Sequence, residues 1–260
     1  MEFSRISDEI AVITFDRPDC GNALSEEVLI RFEETLREIH EGKRNRVLIL
    51  RGTGKHFCGG IDLREALESF EKASSMFSRV AKILVQLRQI PSVTLASVHG
   101  GAFGGGAALI ACCDLVVAAN DLKLGCPEVL RGFDPVFLFP LFRRKLADSA
   151  LRQLLLTGLP IDATRAKEIG LVHHIVEKEK AWQFSLDLAE KICQCEPNAV
   201  RNAKLMLTAH ELRMYEISLE EELQLSFQSH IESWKTDAAQ ERVRNFFANK
   251  KVKSTNENQN

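Results

Sequence analysis

The sequence predicts an α/β fold with largely parallel strand pairing, joined to a helical C-terminal region. Short apolar runs of strand length alternate with stretches whose apolar residues recur at helical spacing. Gly- and Pro-containing turns punctuate the junctions. From Ala181 onward the pattern is helical almost to the end.

Ile10 to Phe15 alternates as a strand does, and Arg17-Pro18-Asp19 ends it. Ser25 is placed to cap a helix, and Glu26 and Glu27 suit its positive end. Val28, Leu29, Phe32, Leu36 and Ile39 then repeat on one helical face up to Gly42. Val47 to Leu50 has the length of a buried strand, closed by Gly52-Thr53-Gly54. The spacing next predicts one helix over Arg64 to Leu87, stopped by Pro91. Val93 to Val98 is another strand, followed by a glycine-rich stretch, a short helix and a strand at Leu115 to Ala118. Residues 1–180 thus read as an α/β core and 181–250 as a helical appendage. Residues 251–260, KVKSTNENQN, read as a frayed polar tail.

A chain of 260 residues is long enough to bury a sizeable core. The net charge of −2, without a basic stripe, argues against nucleic acid as a partner. No apolar run has the length of a membrane span, and acidic residues interrupt Met1 to Phe15 where a secretory signal would lie. The seven cysteines are odd in number and lack zinc-ligand spacing. Reduced, mostly buried thiols and a cytoplasmic location are the expectation, with no metal site and no membrane association.

His99 to Asp114, HGGAFGGGAALIACCD, holds five of the chain's 15 glycines at the handover from strand to helix. The glycines at 100, 101, 104, 105 and 106 do not fit the spacing of a dinucleotide fingerprint. Gly-Lys-Ser/Thr is absent, which excludes a P-loop, and no Gly-x-Ser-x-Gly marks a serine nucleophile. Glycines at a helix start permit close packing, and they also let free backbone N–H groups face an anion or a developing oxyanion. A second glycine turn, Lys55 to Leu63 (KHFCGGIDL), likewise follows a strand and precedes a helix. Two such turns could each supply one N–H to the same oxygen.

Five segments together resemble the crotonase, or enoyl-CoA hydratase/isomerase, superfamily. They are FDRPDCGNALS (15–25), GKHFCGGIDL (54–63), HGGAFGGGAALIACCDLVVA (99–118), LGCPEVLRG (124–132) and LTGLPIDATRAKEIGLVHHIV (156–176). The resemblance implies a spiral of ββα units, with C-terminal helices that build a homotrimer, often paired into a hexamer. It implies an oxyanion hole for the thioester carbonyl of an acyl-CoA or acyl-carrier substrate, its donors being the N–H groups of Ile61 and Gly105. Gly60, Asp62, Gly104, Gly106, Ala108 and Pro127 would lie against the substrate. Coenzyme A enters as the carrier part of the substrate, and no separate cofactor is expected.

Hydratases of the superfamily typically carry two glutamates, one two residues after the triple glycine and one in a Pro-Glu pair. The first position here is Ala108; the second is Glu128, in Cys126-Pro127-Glu128. Water addition or removal with Glu128 as the only acid/base is the leading expectation. A Δ3,Δ2-enoyl-CoA isomerase, a decarboxylase of a malonyl-type thioester and a catalytically impaired acyl-CoA-binding protein are the alternatives. Arg131 and Asp134, close to Glu128 in sequence, are expected at the surface. The phenylalanines of DPVFLFPLF (134–142) are expected in the core or in the acyl pocket. Lys204 or Arg64 are candidates to hold the nucleotide end of coenzyme A.

Overall fold

A computed structural model describes residues 1–42, 45–215 and 217–257. Its strands are β1 (Glu2–Arg5), β2 (Ile10–Phe15), β3 (Val47–Gly52), β4 (Val93–Val98), β5 (Gly101–Phe103), β6 (Leu115–Ala119), β7 (Lys123–Gly125), β8 (Ile161–Asp162) and β9 (His174–Val176). One sheet runs β1-β2-β3-β4-β6-β9, antiparallel only at its β1–β2 edge. A smaller sheet, β5-β7-β8, stands beside it.

Strand periodicity explains why the central strands are apolar throughout. Ala11, Ile13 and Phe15 of β2, with Leu48 and Leu50 of β3, enter the main core. Ile10, Val12, Val47, Ile49 and Leu95 point the other way, into a second cluster. A parallel sheet buried on both faces needs this continuous hydrophobicity.

Helices α1 (Glu26–Gly42), α2 (Leu63–Ala66) and α3 (Phe70–Gln89) lie on the main-core side, α1 burying Val28, Leu29, Phe32, Leu36 and Ile39. The single helix expected over residues 64–87 is therefore two. Ser69 interrupts it, adopting extended backbone and accepting from the Lys72 N–H as the cap of α3. Helices α4 (Gly105–Cys112), α5 (Phe139–Phe142), α6 (Asp148–Thr157) and α7 (Ala163–Glu168) connect the later strands.

The last four helices are α8 (Ala181–Gln194), α9 (Pro197–Tyr215), α10 (Leu219–Trp234) and α11 (Asp237–Glu257). They are not the appendage that periodicity suggested. Helix α8 covers the second face of the sheet with Trp182, Phe184, Leu188 and Ile192, while α10 and α11 contribute Leu223, Ile231, Trp234, Ala239 and Val243 to the main core. Buried Glu222 is ion-paired with Arg143 and Arg144, tying α10 to the segment after α5. Helix α11 also continues to Glu257, well into the tail expected from residue 251, because no Gly or Pro stops it. Asn258 to Asn260 lie outside the described residues.

All seven cysteines are free, with Cys58, Cys112, Cys113 and Cys126 buried. Burial pushes the Cys58 and Cys113 thiols up to about 12, which leaves them un-ionised near neutrality.

Candidate active site

Parallel pairing of β3 with β4 brings their C-terminal ends side by side, and the two glycine turns follow from there. The turns are laced together. Phe57 N–H donates to the Gly101 carbonyl at 3.1 Å, and Phe103 N–H donates to the Cys58 carbonyl at 3.0 Å. Gly106 lies so near this seam that a methyl group on it would stand 2.1 Å from the Cys58 oxygen.

The lacing leaves two amides unused. The Leu24 N–H donates to the Gly60 carbonyl at 2.8 Å and the Asp62 N–H to the Leu24 carbonyl at 2.9 Å. In such a parallel bridge the intervening Ile61 N–H points away from Leu24. Gly105 is the first residue of α4, so its N–H has no partner within the helix. Neither N–H donates to a protein group among the described residues. They are neighbours: a methyl on Gly105 would stand 3.6 Å from the Ile61 nitrogen, and one on Gly60 3.1 Å from the Gly105 nitrogen.

Glu128 follows β7 through Cys126-Pro127 and is only 6% exposed. Its Oε1 lies where a Gly104 side chain would be, 2.8 Å from the position of an ideal Cβ. Gly104 has φ +52° and ψ −116°, a combination open only to glycine. The buried Oε2 has no hydrogen-bond partner among the described residues. Burial raises the Glu128 carboxyl above its ordinary range, with partial opposition from a backbone hydrogen bond at Glu128 itself and, less, from His230 and Arg131.

A cavity enclosing about 460 Å³ of empty space, mouth included, collects these parts. Gly60, Ile61, Gly104, Gly105 and Glu128 form its polar wall. Phe77 and Val80 of α3, Phe133, Phe137 and Leu138 form the apolar one. His230, from α10, completes the enclosure.

Four residues expected against the substrate do not line this cavity. The Asp62 side chain caps α2, accepting from Arg64 N–H at 3.3 Å, and pairs with Arg17 at 3.3 Å. Gly106 and Ala108 are turned into the core within α4, and Pro127 flanks Glu128 without reaching the cavity wall. Lys204, a nucleotide-end candidate, is a structural ion: it donates to the Ser92 carbonyl and to Asp114, both at 2.7 Å. Arg64 stacks on Phe247, 4.8 Å from the ring centre.

Arg131 and Asp134 are half-buried rather than superficial, Arg131 over the ring of Phe246 and in the cavity wall. Phe137 lines the cavity, Phe142 is core and Phe139 is exposed. His230 was not anticipated at all. The signal available was Phe227, His230, Ile231 and Trp234 at helical spacing, a stripe that reads as core.

Among the described residues, no three His, Cys, Asp or Glu side chains cluster as metal ligands would, and no helix is long and apolar enough to cross a membrane.

Neighbouring unused backbone donors beside one buried carboxyl, in a partly apolar cavity, are the parts that a site for acyl-transfer or enolate chemistry requires. The enoyl-CoA hydratase/isomerase family model matches residues 5–256. The chain is 32% identical over 210 residues to the enoyl-CoA isomerase/hydratase fer4 of Mycosarcoma maydis, covering 75% of this chain and 76% of that protein. It is 31% identical over 199 residues to the short-chain-enoyl-CoA hydratase of Clostridium acetobutylicum, covering 75% and 76%. The crystal structure of an enoyl-CoA hydratase from Bacillus halodurans shares the fold, with a TM-score of 0.84 at 20% identity over 94% of this chain and 98% of that one. The chain belongs to the enoyl-CoA hydratase/isomerase family, within the crotonase superfamily, and is an enzyme of that family.

Two outcomes follow from the geometry. Because the folded state holds the Glu128 proton more tightly than the unfolded chain does, that stabilisation is present at low pH and fades as pH rises through the raised value. Replacing Glu128→Gln should therefore leave the thermal midpoint near the native one at pH 4, and raise it increasingly above native by pH 8 in scanning calorimetry. Replacing Gly104→Ala forces a Cβ against Glu128 Oε1 in a glycine-only conformation. It should cost about 1–3 kcal/mol of stability in chemical unfolding.

Proposed function

We propose that the protein catalyses reversible addition of water to an α,β-unsaturated acyl thioester, carried on coenzyme A or on an acyl carrier. The observation that carries this reading is the pair of unused amides, Ile61 and Gly105, beside the Glu128 carboxyl, whose buried Oε2 has no partner among the described residues. Addition at the β carbon drives electrons onto the thioester oxygen. Two N–H donors fixed before reaction stabilise that oxygen without reorganising, and each such donor is worth about 3–4 kcal/mol. Glu128 then exchanges a proton with the α carbon. Burial raises this carboxyl above its ordinary range, the direction that favours the protonated form a proton donor needs.

Isomerisation of a 3-enoyl thioester is the second reading. It is favoured by one observation: Ala108 is fully buried in the core and supplies no second carboxyl. One carboxyl can shuttle a proton between two carbons.

The acyl end of this reading is short. That reading rests on Phe77, Phe133 and Phe137, which line the apolar side of the cavity. Assembly as a trimer or hexamer belongs to the same reading. It is supported by Leu205, Met206 and Leu207, which α9 leaves 56%, 73% and 69% exposed. No cofactor is proposed beyond the coenzyme A or carrier portion of the substrate.

Glu128→Gln should lower kcat for crotonyl-CoA hydration by about 10²–10⁴-fold, followed by loss of the enoyl absorbance. Unaltered turnover removes Glu128 from the chemistry; native conversion of a 3-enoyl-CoA with no hydration of crotonyl-CoA favours the isomerase. Phe137→Ala should raise kcat/KM for a longer enoyl-CoA relative to crotonyl-CoA by about 10-fold or more, the scale of a methylene accommodated or refused. An unchanged ratio would show that Phe137 does not set the depth of the pocket.

A further inference from the structure

His230 is 2% exposed, and it is enclosed by aromatic rings. Phe77, Phe133 and Phe137 stand 4.5, 5.5 and 5.4 Å from its ring centre. A histidine in such a setting is usually satisfied at both nitrogens. This one is satisfied at one. Its Nδ1 lies 3.0 Å from the Asp134 backbone carbonyl, which can only accept, so Nδ1 carries the hydrogen. The Asp134 carboxylate is 3.5 Å from the same Nδ1, and is itself held by the Ser229 hydroxyl at 3.0 Å. Asp134 N–H donates to the Ser233 hydroxyl at 3.1 Å, which locks the loop onto α10. Nε2 is thus left with its lone pair bare, buried, and without a partner among the described residues.

The charged groups around this ring are few. The 126–134 segment brings Glu128, Arg131 and Asp134, and α3 brings only Phe77 and Val80 to the shared cavity. Glu128 and His230 line the same cavity.

We propose that His230 is the second proton-transfer group of the site, with Nε2 as the base toward water and Asp134 as the residue that positions it. The inference rests on the hydratase reading and replaces a single acid/base by a carboxyl–imidazole pair. The carboxylate that the family's hydratases place at position 108 is absent, and its task falls to a side chain from α10. In the hydration direction the water oxygen bonds to the β carbon and its proton passes to Nε2. The double-bond electrons move onto the thioester oxygen. The resulting enolate collapses, and the α carbon takes the Glu128 proton. Glu128 is left as carboxylate and His230 as imidazolium beside Asp134; the proton then returns from His230 to Glu128, closing the cycle. The Asp134 backbone carbonyl fixes the tautomer, and the Asp134 carboxylate, 3.5 Å from Nδ1, stabilises the imidazolium.

The test compares native enzyme with His230→Asn, His230→Gln, Asp134→Asn and Glu128→Gln on crotonyl-CoA, as kcat and KM across pH 5 to 9. Asn at 230 keeps a donor for the Asp134 carbonyl, so a purely structural role should survive it. The expected result is a native profile with two limbs. His230→Asn and His230→Gln should lose about 10²–10⁴-fold in kcat and one of those limbs, with KM little changed. Asp134→Asn should show a smaller loss and displace that same limb. Thermal midpoint and the near-ultraviolet dichroism of Trp234, which packs on Phe77 and Phe133, report whether the variants fold. If neither His230 variant folds, the native profile decides: a single ionisation overturns the proposal. Native kcat and both limbs in His230→Asn, with Glu128→Gln inactive, overturn it while leaving the hydratase reading intact. Native turnover in Glu128→Gln removes the hydratase reading and the pair together.

Discussion

The contact between two glycine turns governs this structure. At the C-terminal ends of β3 and β4 the backbone of residues 57–60 passes directly over that of residues 101–106. Side chains are excluded because main chain occupies their place: the Lys55 carbonyl at Gly100, the Cys58 carbonyl at Gly106 and Phe103 O at Gly60. That crowding satisfies most of the polar backbone in the seam, and its geometry strands the N–H groups of Ile61 and Gly105. Both residues are half-buried at the cavity wall, so these two donors are the backbone groups the seam leaves open to the cavity.

The same seam places the carboxyl. Gly104 has no side chain, so Glu128 can lean into the space beside the start of α4. The enclosure then comes from elements distant in sequence, α3 on one side and α10 on the other, the latter anchored by Glu222 to Arg143 and Arg144. Backbone donors, carboxyl and imidazole thus arise from separate stretches whose only common property is adjacency in the fold.

The legible parts of the molecule were those written in short-range pattern. The strands at 10–15, 47–52 and 93–98 and helix α1 carry their periodicity locally, and the glycine turns could be read as places where amides are freed. Glu128 was legible from its Pro-Glu context. What escaped were long-range choices. Ser69 splits a helix that apolar spacing alone would run through. The Asp62 side chain caps α2 and pairs with Arg17, neither of which its motif announces. Arg131 and Asp134 look superficial until α10 and α11 fold over them. His230 sits in an apolar stripe, and nothing in that stripe tells a satisfied core histidine from one with a bare nitrogen.

That α10 closes the cavity has a consequence for how the protein comes into being. A chain emerging from the ribosome in order has both glycine turns and Glu128 available once its first half is made. Its cavity has no roof until Trp234 has been added, about a hundred residues later. The nascent enzyme would therefore expose an assembled but uncovered cradle for seconds, at synthesis rates of about 5–20 residues per second. Competence would arrive late and all at once, when the final helices dock.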